Sequence, residues 1–133
     1  MSGEARAFAL HGARVVVRSV GTDDPFAPGP WVDLVIERRA DTRPIGTIGV
    51  RVEPEEPTVE VRIAVTVEAR GVGYANEALA TVVDHALTER AFVRVVAFAP
   101  ATDNRTQRLY ERVGLRVVAA DGDDLLYLRR ADG

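Results

Sequence analysis

The sequence of 133 residues predicts a mixed α/β fold in a single domain. The main observation is a strand, a glycine loop and a helix that follow one another directly between residues 59 and 88. A second helical pattern and several segments with strand-like alternation lie on either side of this unit. A chain of this length is large enough for one hydrophobic core and too short for two.

The N-terminal part contains one predicted strand and one predicted loop. Residues 1–12 have no firm pattern, so we expect a flexible arm. Ala13–Val20 is rich in β-branched residues and predicts a strand. Gly21–Pro30 contains three prolines and two glycines, a composition typical of turns that leaves no room for a helix.

Three predicted strands follow, at residues 31–37, 45–52 and 59–67, and each has one apolar and one mostly polar face. A sheet buried on both faces would show continuous hydrophobic runs instead. We therefore expect helices on one face of the sheet and water on at least part of the other. An ordinary hairpin edge with one solvated face explains the same pattern equally well.

The strand at residues 59–67 leads through a glycine loop into the first helix. Every odd position from Val59 to Val67 is apolar and β-branched, as in a strand with one buried face. Apolar residues at helical spacing then indicate the helix, which ends near residues 88–90; they are Ala75, Ala78, Leu79, Val82, Val83, Ala86 and Leu87.

The C-terminal part predicts a strand, a second helix and a hairpin. Phe92–Ala99 reads as a buried strand that ends at Pro100, with Val93, Val95, Val96 and Phe98 as its buried residues. Asp103 or Thr102 caps a helix at residues 104–113, and Gly114 ends it. Residues 115–120 and 125–129 form the hairpin, and the acidic residues between them predict a turn because they lack calcium-loop spacing.

The loop between the central strand and the first helix has the chemistry of an anion site. Unpaired N–H groups and the positive end of the helix dipole meet at the start of a helix. Gly71 and Gly73 let the backbone approach a bulky anion, and Arg70 adds a fixed positive charge. The junction therefore predicts a phosphate site, although a simple helix-initiating turn has a similar sequence.

The order of these segments resembles a known superfamily. Arg70-Gly71-Val72-Gly73-Tyr74-Ala75 is similar to the acyl-CoA loop of the GCN5-related N-acetyltransferases (GNAT), and Arg108–Leu115 resembles their later helix. The resemblance extends from Val32 onward and is greatest with the branch that contains the ribosomal-protein N-terminal acetyltransferases. It implies a mixed, largely antiparallel β-sheet with two main helices.

One departure from the family concerns the acceptor side. Family members usually place two helices between the first and second strands, and these helices close over the acceptor substrate. Here the loop at Gly21–Pro30 stands in their place. We therefore expect an acceptor side that is more open than usual, or one that a second copy of the chain completes in a homodimer.

The resemblance also implies a binding mode for the donor, acetyl-CoA. The backbone of Val65 and Val67 would pair with the pantetheine arm like another strand. Arg70 and the amides of the loop would hold the diphosphate, the loop residues being Gly71, Val72, Gly73, Tyr74 and Ala75. At the second helix the family's cofactor-contacting asparagine falls at Asp103, and the asparagine of this chain is one residue later, at Asn104. Either the loop is one residue shorter and Asn104 contacts the cofactor, or that contact is lost.

Two residues are candidates for the chemistry on the same grounds. Tyr110 lies where many family members keep a tyrosine near the thioester sulfur, so it is the candidate acid; a packing role is the alternative. Glu60 lies where related enzymes often carry the base, and pairing with Arg62 or Arg51 is the equal alternative. At pH 7 deprotonation costs about 4.6 kcal/mol for a lysine and about 1.4 kcal/mol for an α-amine, which favours an α-amine acceptor.

Composition narrows the functional class. The net charge of −3 argues against a nucleic-acid-binding surface. The chain has no cysteine and only two histidines, far apart, so no metal site is expected. All seventeen basic residues are arginine. Since neither a membrane span nor a signal peptide is evident in the sequence, we expect a cytoplasmic protein.

These observations predict an acetyl-CoA-dependent N-acetyltransferase. The acetyl group would pass by direct attack to a primary amine, either an N-terminal α-amine or a small-molecule amine, without a metal. The alternative is a non-catalytic acyl-CoA-binding or oligomerising module that kept the loop but lost the acceptor site.

Overall fold

The structure is a computed structural model that describes residues 7–54 and 56–132. Its strands are β1 (Ala9–His11), β2 (Val15–Ser19), β3 (Gly29–Arg38), β4 (Pro44–Val52), β5 (Thr58–Val65), β6 (Arg94–Pro100), β7 (Arg116–Asp121) and β8 (Asp124–Arg130). The helices are α1 (Tyr74–Thr88) and α2 (Asn104–Arg112). The strands form one sheet in the order β1-β2-β3-β4-β5-β6-β8-β7, in which only β5 and β6 are parallel. The predicted fold class is therefore confirmed.

The start of the described chain is more ordered than the sequence suggested. Ala9–His11 pairs antiparallel with β2, and the backbone N–H of Phe8 donates to Ser19 Oγ at 3.1 Å. The arm expected at residues 1–12 is thus wrong for residues 9–11, which add an edge strand. Residues 1–6 lie outside the described part of the chain.

Both helices belong to one hydrophobic core on a single face of the sheet. The buried side of α1 consists of Ala78, Leu79, Val82, Val83, Ala86 and Leu87, which is the predicted stripe apart from the half-buried Ala75. These residues share the core with alternate residues of the strands, among them Val17, Ile36 and Val61. The period of the sequence pattern therefore identified the packed face of α1.

The opposite face of the sheet, which we call the open face, is polar across four neighbouring strands. Ion pairs cross it between Arg18 and Glu37 at 2.6 Å and between Arg51 and Glu60 at 2.5 Å. Arg62 and Asp33 form a third pair at 3.4 Å. The polar face extends well beyond a hairpin edge, so the structure agrees with a sheet that lacks a covering layer on this side.

Strand β6 departs from the prediction in which residues it buries. Only Val95 of the four expected residues is buried, and Ala97 and Ala99 take the other buried positions. Val93 precedes the strand and is 42% exposed, whereas Phe98 lies within the strand and is 37% exposed. The continuous apolar run suggested burial on both faces, but the helices cover only one of them, so the alternate side chains face the open side.

The loop between β2 and β3 contains no helix, as predicted, and it packs beside the end of α1. The Phe26 ring is buried against Phe8, His85 and Phe92, with centroids 5.7, 5.4 and 6.0 Å away. Asp24 in the same loop accepts a hydrogen bond from Arg90, just past the helix. The loop is thus tied to the helical side and leaves the open face uncovered. Among the described residues no helix is long and apolar enough to span a membrane.

We expect Phe26→Ala to lower the free energy of unfolding by about 3 kcal/mol, because the cavity left behind is surrounded by three aromatic rings. Urea denaturation followed by circular dichroism measures this change. Phe98→Ala on the open face is the matched control and should cost less than about 1 kcal/mol. Equal losses in the two variants would show that Phe26 does not anchor the loop.

Candidate active site

A gap opens where the parallel strands β5 and β6 separate. Their pairing covers only three positions, the last of which joins Glu60 to Val96. Beyond this point β5 stays paired with β4 as far as Val65, while β6 stays paired with β8 as far as Pro100. Each strand keeps one partner, β4 for β5 and β8 for β6, but the two strands no longer pair with each other. Their facing backbone groups therefore border a wedge-shaped gap.

A cavity of about 440 Å³ lies where this gap widens. The end of β5, the glycine loop, the first turn of α1 and one side of α2 form its walls. The lining residues are Ile63, Ala64, Val65, Ala69, Arg70, Gly71, Gly73, Ala75, Asn76, Asp103, Arg105, Thr106, Leu109 and Arg112. Val65, Arg70, Gly71, Gly73 and Ala75 had been predicted to bind the donor, and the structure brings them together here. Val72 and Tyr74 flank them in the loop.

The glycine loop has the backbone geometry of an anion site. Gly71 and Gly73 adopt φ values of 81° and 87°, a left-handed conformation that favours glycine. Gly73 precedes α1 without a side-chain cap, and the first helical bond runs from Glu77 N to Gly73 O. The N–H groups of Tyr74, Ala75 and Asn76 therefore have no acceptor within the helix and are available to an anion.

The strand before the loop ends earlier than predicted. Its partner β4 runs out at the pair Gly46 and Val65, and the backbone then turns into a short 3₁₀ helix at Val67–Ala69. Val67 is 70% exposed and does not line the cavity. Val67 thus lies outside the strand in which it was expected, and its pairing with the donor stays a prediction. Ile63, Ala64 and Val65 offer the extended edge instead.

Arg14, at the start of β2, holds the loop from the other side. Its Nη1 donates to the carbonyl of Val72 at 2.8 Å, and its Nε donates to Glu77 at 2.9 Å. Its guanidinium also lies 4.7 Å from the centre of the Tyr74 ring. A Cβ on Gly73 would come within 2.9 Å of this guanidinium, which is a second reason for glycine there. Arg14 thus fixes the orientation of the loop carbonyl.

Glu77 connects the first turn of α1 to this arginine. Besides the side-chain pair, its carboxylate accepts the backbone N–H groups of Arg14 at 2.6 Å and Val15 at 3.1 Å. Burial of the carboxylate opposes its charge, but the hydrogen bonds from Arg14 and Val15 outweigh burial, and the pKa of Glu77 is lowered. Glu77 therefore stays ionised and holds β2, the loop and α1 together near neutral pH.

At the start of α2, Asp103 and not Asn104 reaches the cavity. The Asp103 carboxylate caps the helix by accepting Thr106 N at 3.1 Å and Thr106 Oγ1 at 2.7 Å. These bonds lower the pKa of Asp103. The position predicted for a cofactor-contacting asparagine is thus occupied by the helix cap, and Asn104 is exposed.

Tyr110 is buried between α2 and β6 and does not line the cavity. Its hydroxyl donates to the carbonyl of Phe98 at 3.1 Å. Phe98 lies two residues beyond Val96, the last residue of β6 that pairs with β5. Its ring packs 5.4 Å from Tyr127. Burial, assisted by the charges of Asp103 and Glu60, raises the pKa of Tyr110 to about 12, so the phenol is neutral at physiological pH.

Glu60 lies at the apex of the gap on the open face. Its Oε1 accepts a hydrogen bond from Arg51 at 2.5 Å, which is one of the two pairings that the sequence suggested. Arg51 and Arg62 both lie over the Trp31 ring, at 5.1 and 4.1 Å from its centre. Glu60 does not line the cavity, so the structure separates the candidate base from the donor loop by part of β5.

Sequence reasoning missed several residues of the site. Arg14 precedes the loop by more than fifty residues, and no local pattern marks it. Asn76 lines the cavity with a buried Oδ1 that has no hydrogen-bond partner among the described residues. Arg105, Leu109 and Arg112 could have been found, because their spacing places them on one side of a helix.

Comparison with known proteins identifies relatives of this architecture. The profile of a family described as an acetyltransferase (GNAT) domain matches residues 12–116. No curated protein sequence matches the chain.

Three similar solved structures show the same fold. An acetyltransferase of the GNAT family from Bacillus anthracis has a TM-score of 0.81 at 14% identity and covers 95% of this chain and 100% of its own. An acetyltransferase from Agrobacterium tumefaciens str. C58 has a TM-score of 0.75 at 20% identity and covers 98% of each chain. A ribosomal-protein-S5-alanine acetyltransferase from Vibrio fischeri has a TM-score of 0.74 at 12% identity and covers 94% of this chain and 97% of its own.

We expect Glu77→Gln to weaken coenzyme A binding about 5- to 10-fold, because Arg14 loses its charged partner and holds the Val72 carbonyl less firmly. Isothermal titration calorimetry measures the affinity. Asp84→Asn is the control, since Asp84 lies on the same helix and pairs with Arg129, away from the loop. Unchanged affinity in Glu77→Gln, or an equal loss in both variants, would contradict a role for Glu77 in positioning the loop.

Proposed function

The chain belongs to the acetyltransferase (GNAT) family, and from this premise we propose that it transfers the acetyl group of acetyl-CoA to a primary amine. The observation that carries the proposal is that one cavity wall combines two kinds of backbone group. The start of α1 supplies unbonded amides beside Arg70, and residues 63–65 supply the edge of β5 that β6 leaves unpaired. A nucleotide thioester needs both kinds of contact, because its diphosphate is charged and its pantetheine arm carries amides.

The donor would bind by two kinds of backbone contact. The free N–H groups at the start of α1, together with Arg70, suit the diphosphate, because charge-assisted bonds to amides are about twice as strong as neutral ones. The unpaired edge of β5 from Ile63 to Val65 suits the amides of the pantetheine arm, in the way that an added strand extends a sheet. This places the thioester near the apex of the gap.

The reaction would proceed by direct attack. The amine nitrogen adds to the thioester carbonyl, a C–N bond forms, the C–S bond breaks, and coenzyme A leaves as a thiolate. The excess proton on nitrogen passes to Glu60, through water, at the oxygen that Arg51 does not occupy. The thiolate then takes up a proton from water and Glu60 returns its proton to water, so that the products are an amide and free coenzyme A.

The pKa of Tyr110 defines its part in this scheme. A phenol with a pKa of about 12 is a much weaker acid than a thiol with a pKa near 8.5, so full proton transfer to the thiolate is uphill by about 3.5 units. A hydrogen bond to the developing negative charge has no such cost. We therefore assign Tyr110 as a hydrogen-bond donor to the leaving sulfur, which replaces its contact with Phe98.

The open face supports an α-amine as the acceptor. The loop that replaces two family helices packs beside α1, so the side around Glu60 admits a flat, large substrate such as a polypeptide N-terminus. An α-amine is also easier to deprotonate than a lysine.

A thiol-release assay tests the proposed function against a non-catalytic acyl-CoA-binding module. The protein is incubated with acetyl-CoA and either peptides with free N-termini or small amines, and free coenzyme A is measured. Both hypotheses predict donor binding, but only the proposed function predicts thiol release that depends on the acceptor. Donor binding without any such turnover would overturn the proposal.

Tyr110→Phe should lower kcat about 10- to 100-fold and leave the KM for acetyl-CoA nearly unchanged, because the lost hydrogen bond forms with the leaving sulfur. Tyr127→Phe removes a hydroxyl from the ring packed against Tyr110 and is the control. Steady-state kinetics of the two variants decide the question. If both variants retain the wild-type kcat, Tyr110 has only a packing role.

The pH dependence should follow the acceptor. For an α-amine, kcat/KM for the acceptor should rise about tenfold per pH unit and level off near pH 8, where the neutral amine predominates. For a lysine side chain the rise would continue to about pH 10. A profile measured from pH 6 to 10 with a peptide that offers both amines distinguishes them, provided that mass spectrometry identifies the acetylated nitrogen.

A further inference from the structure

Three arginines of the described chain line the cavity and carry charge that no carboxylate there pairs with directly. Within the described residues, Arg70, Arg105 and Arg112 line the cavity, and none of them forms an ion pair. The ion-paired arginines are Arg14, Arg18, Arg38, Arg51, Arg62, Arg90 and Arg129. The one carboxylate in the cavity wall belongs to Asp103, and it is occupied with capping α2. Asp103 is ionised and lies within the field of Arg105, but three guanidinium groups against one carboxylate leave the cavity wall with a net positive charge.

This charge exceeds what a diphosphate requires. The amides at the start of α1 and Arg70 already form a complete site for that group. Arg105 and Arg112 lie on α2, on the opposite wall. A guanidinium left unpaired at a cavity wall suits a phosphate group, to which it can donate two parallel hydrogen bonds.

Arg105 and Arg112 lie at opposite ends of α2, and the direction of the strands shows which end is near the glycine loop. Since β5 and β6 are parallel, they end at the same edge of the sheet, and α1 and α2 both begin there. Arg105 is the second residue of α2 and therefore lies at the edge that carries the glycine loop. Arg112 is the last residue of α2, about 10 Å further along the helix axis and away from the edge that carries the glycine loop.

We propose that Arg105 binds the phosphate monoester on the ribose of the donor and so makes the enzyme distinguish coenzyme A from its 3′-dephospho form. The inference rests on the proposed function, since it concerns the same donor site. Arg105 acts as a specificity-determining residue that contacts the nucleotide end of the donor and has no part in the acetyl transfer step.

Calorimetry with two carriers, coenzyme A and 3′-dephospho-coenzyme A, tests this assignment. The wild-type protein should bind coenzyme A about tenfold more tightly, the usual effect of one charge-assisted contact. In Arg105→Gln the affinity for coenzyme A should fall to that for the dephospho form, which should itself be unchanged. Arg70→Gln should weaken both carriers by the same factor, because both contain the diphosphate.

Arg108→Gln is the matched control, since Arg108 is an exposed arginine of the same helix that does not line the cavity. It should leave both affinities unchanged. Equal binding of the two carriers by the wild-type protein, or an equal loss for both in Arg105→Gln, would overturn the assignment while leaving the acetyl donor site intact. No binding of either carrier at 1 mM would instead overturn the proposed function.

Discussion

The separation of β5 and β6 is the constraint on which the rest of the site depends. A strand inside a sheet normally has hydrogen-bonding neighbours on both sides, and leaving a buried edge unpaired is costly. Here β4 and β8 hold the two strands on their outer sides, so the sheet stays intact while its centre opens. The exposed edge of β5 can then be paired by a chain that carries amides. The parallel connection through α1 also places the helix start at the wide end of the opening.

The glycine loop is positioned by contacts that are remote in sequence. Arg14 and Glu77 join the beginning of β2 to the first turn of α1, and Arg14 also fixes the carbonyl of Val72. The loop amides are thus held in place before any ligand arrives, which reduces the entropy lost on binding. The N-terminal hairpin does not line the cavity, but through Arg14 it helps to position the loop of the proposed donor site.

Local patterns predicted the helices well and the site only in part. The apolar stripe of α1 and the cap of α2 at Asp103 depend on neighbours within a few residues, so the sequence reveals them. The end of β5 depends on where β4 stops, and the role of Arg14 depends on a contact across the fold. The exposure of Phe98 reflects the lack of a covering layer on the open face within residues 7–54 and 56–132. Such features arise from tertiary pairing, which no short window of sequence contains.

The charged groups around the proposed donor site keep their charge near neutral pH, whereas the acceptor amine does not. The cations around the donor are guanidinium groups, which stay ionised at any physiological pH, and the lowered pKa of Glu77 keeps the support of the loop ionised as well. Tyr110, with a pKa of about 12, stays neutral over the same range. His85, whose pKa is lowered chiefly by burial, lies at the far end of α1 among aromatic rings. The donor side therefore has a constant charge near neutrality, and the acceptor amine is the group whose protonation changes there. In this arrangement pH acts on the enzyme through its substrate, because the protein has placed groups that do not titrate near neutrality around the donor.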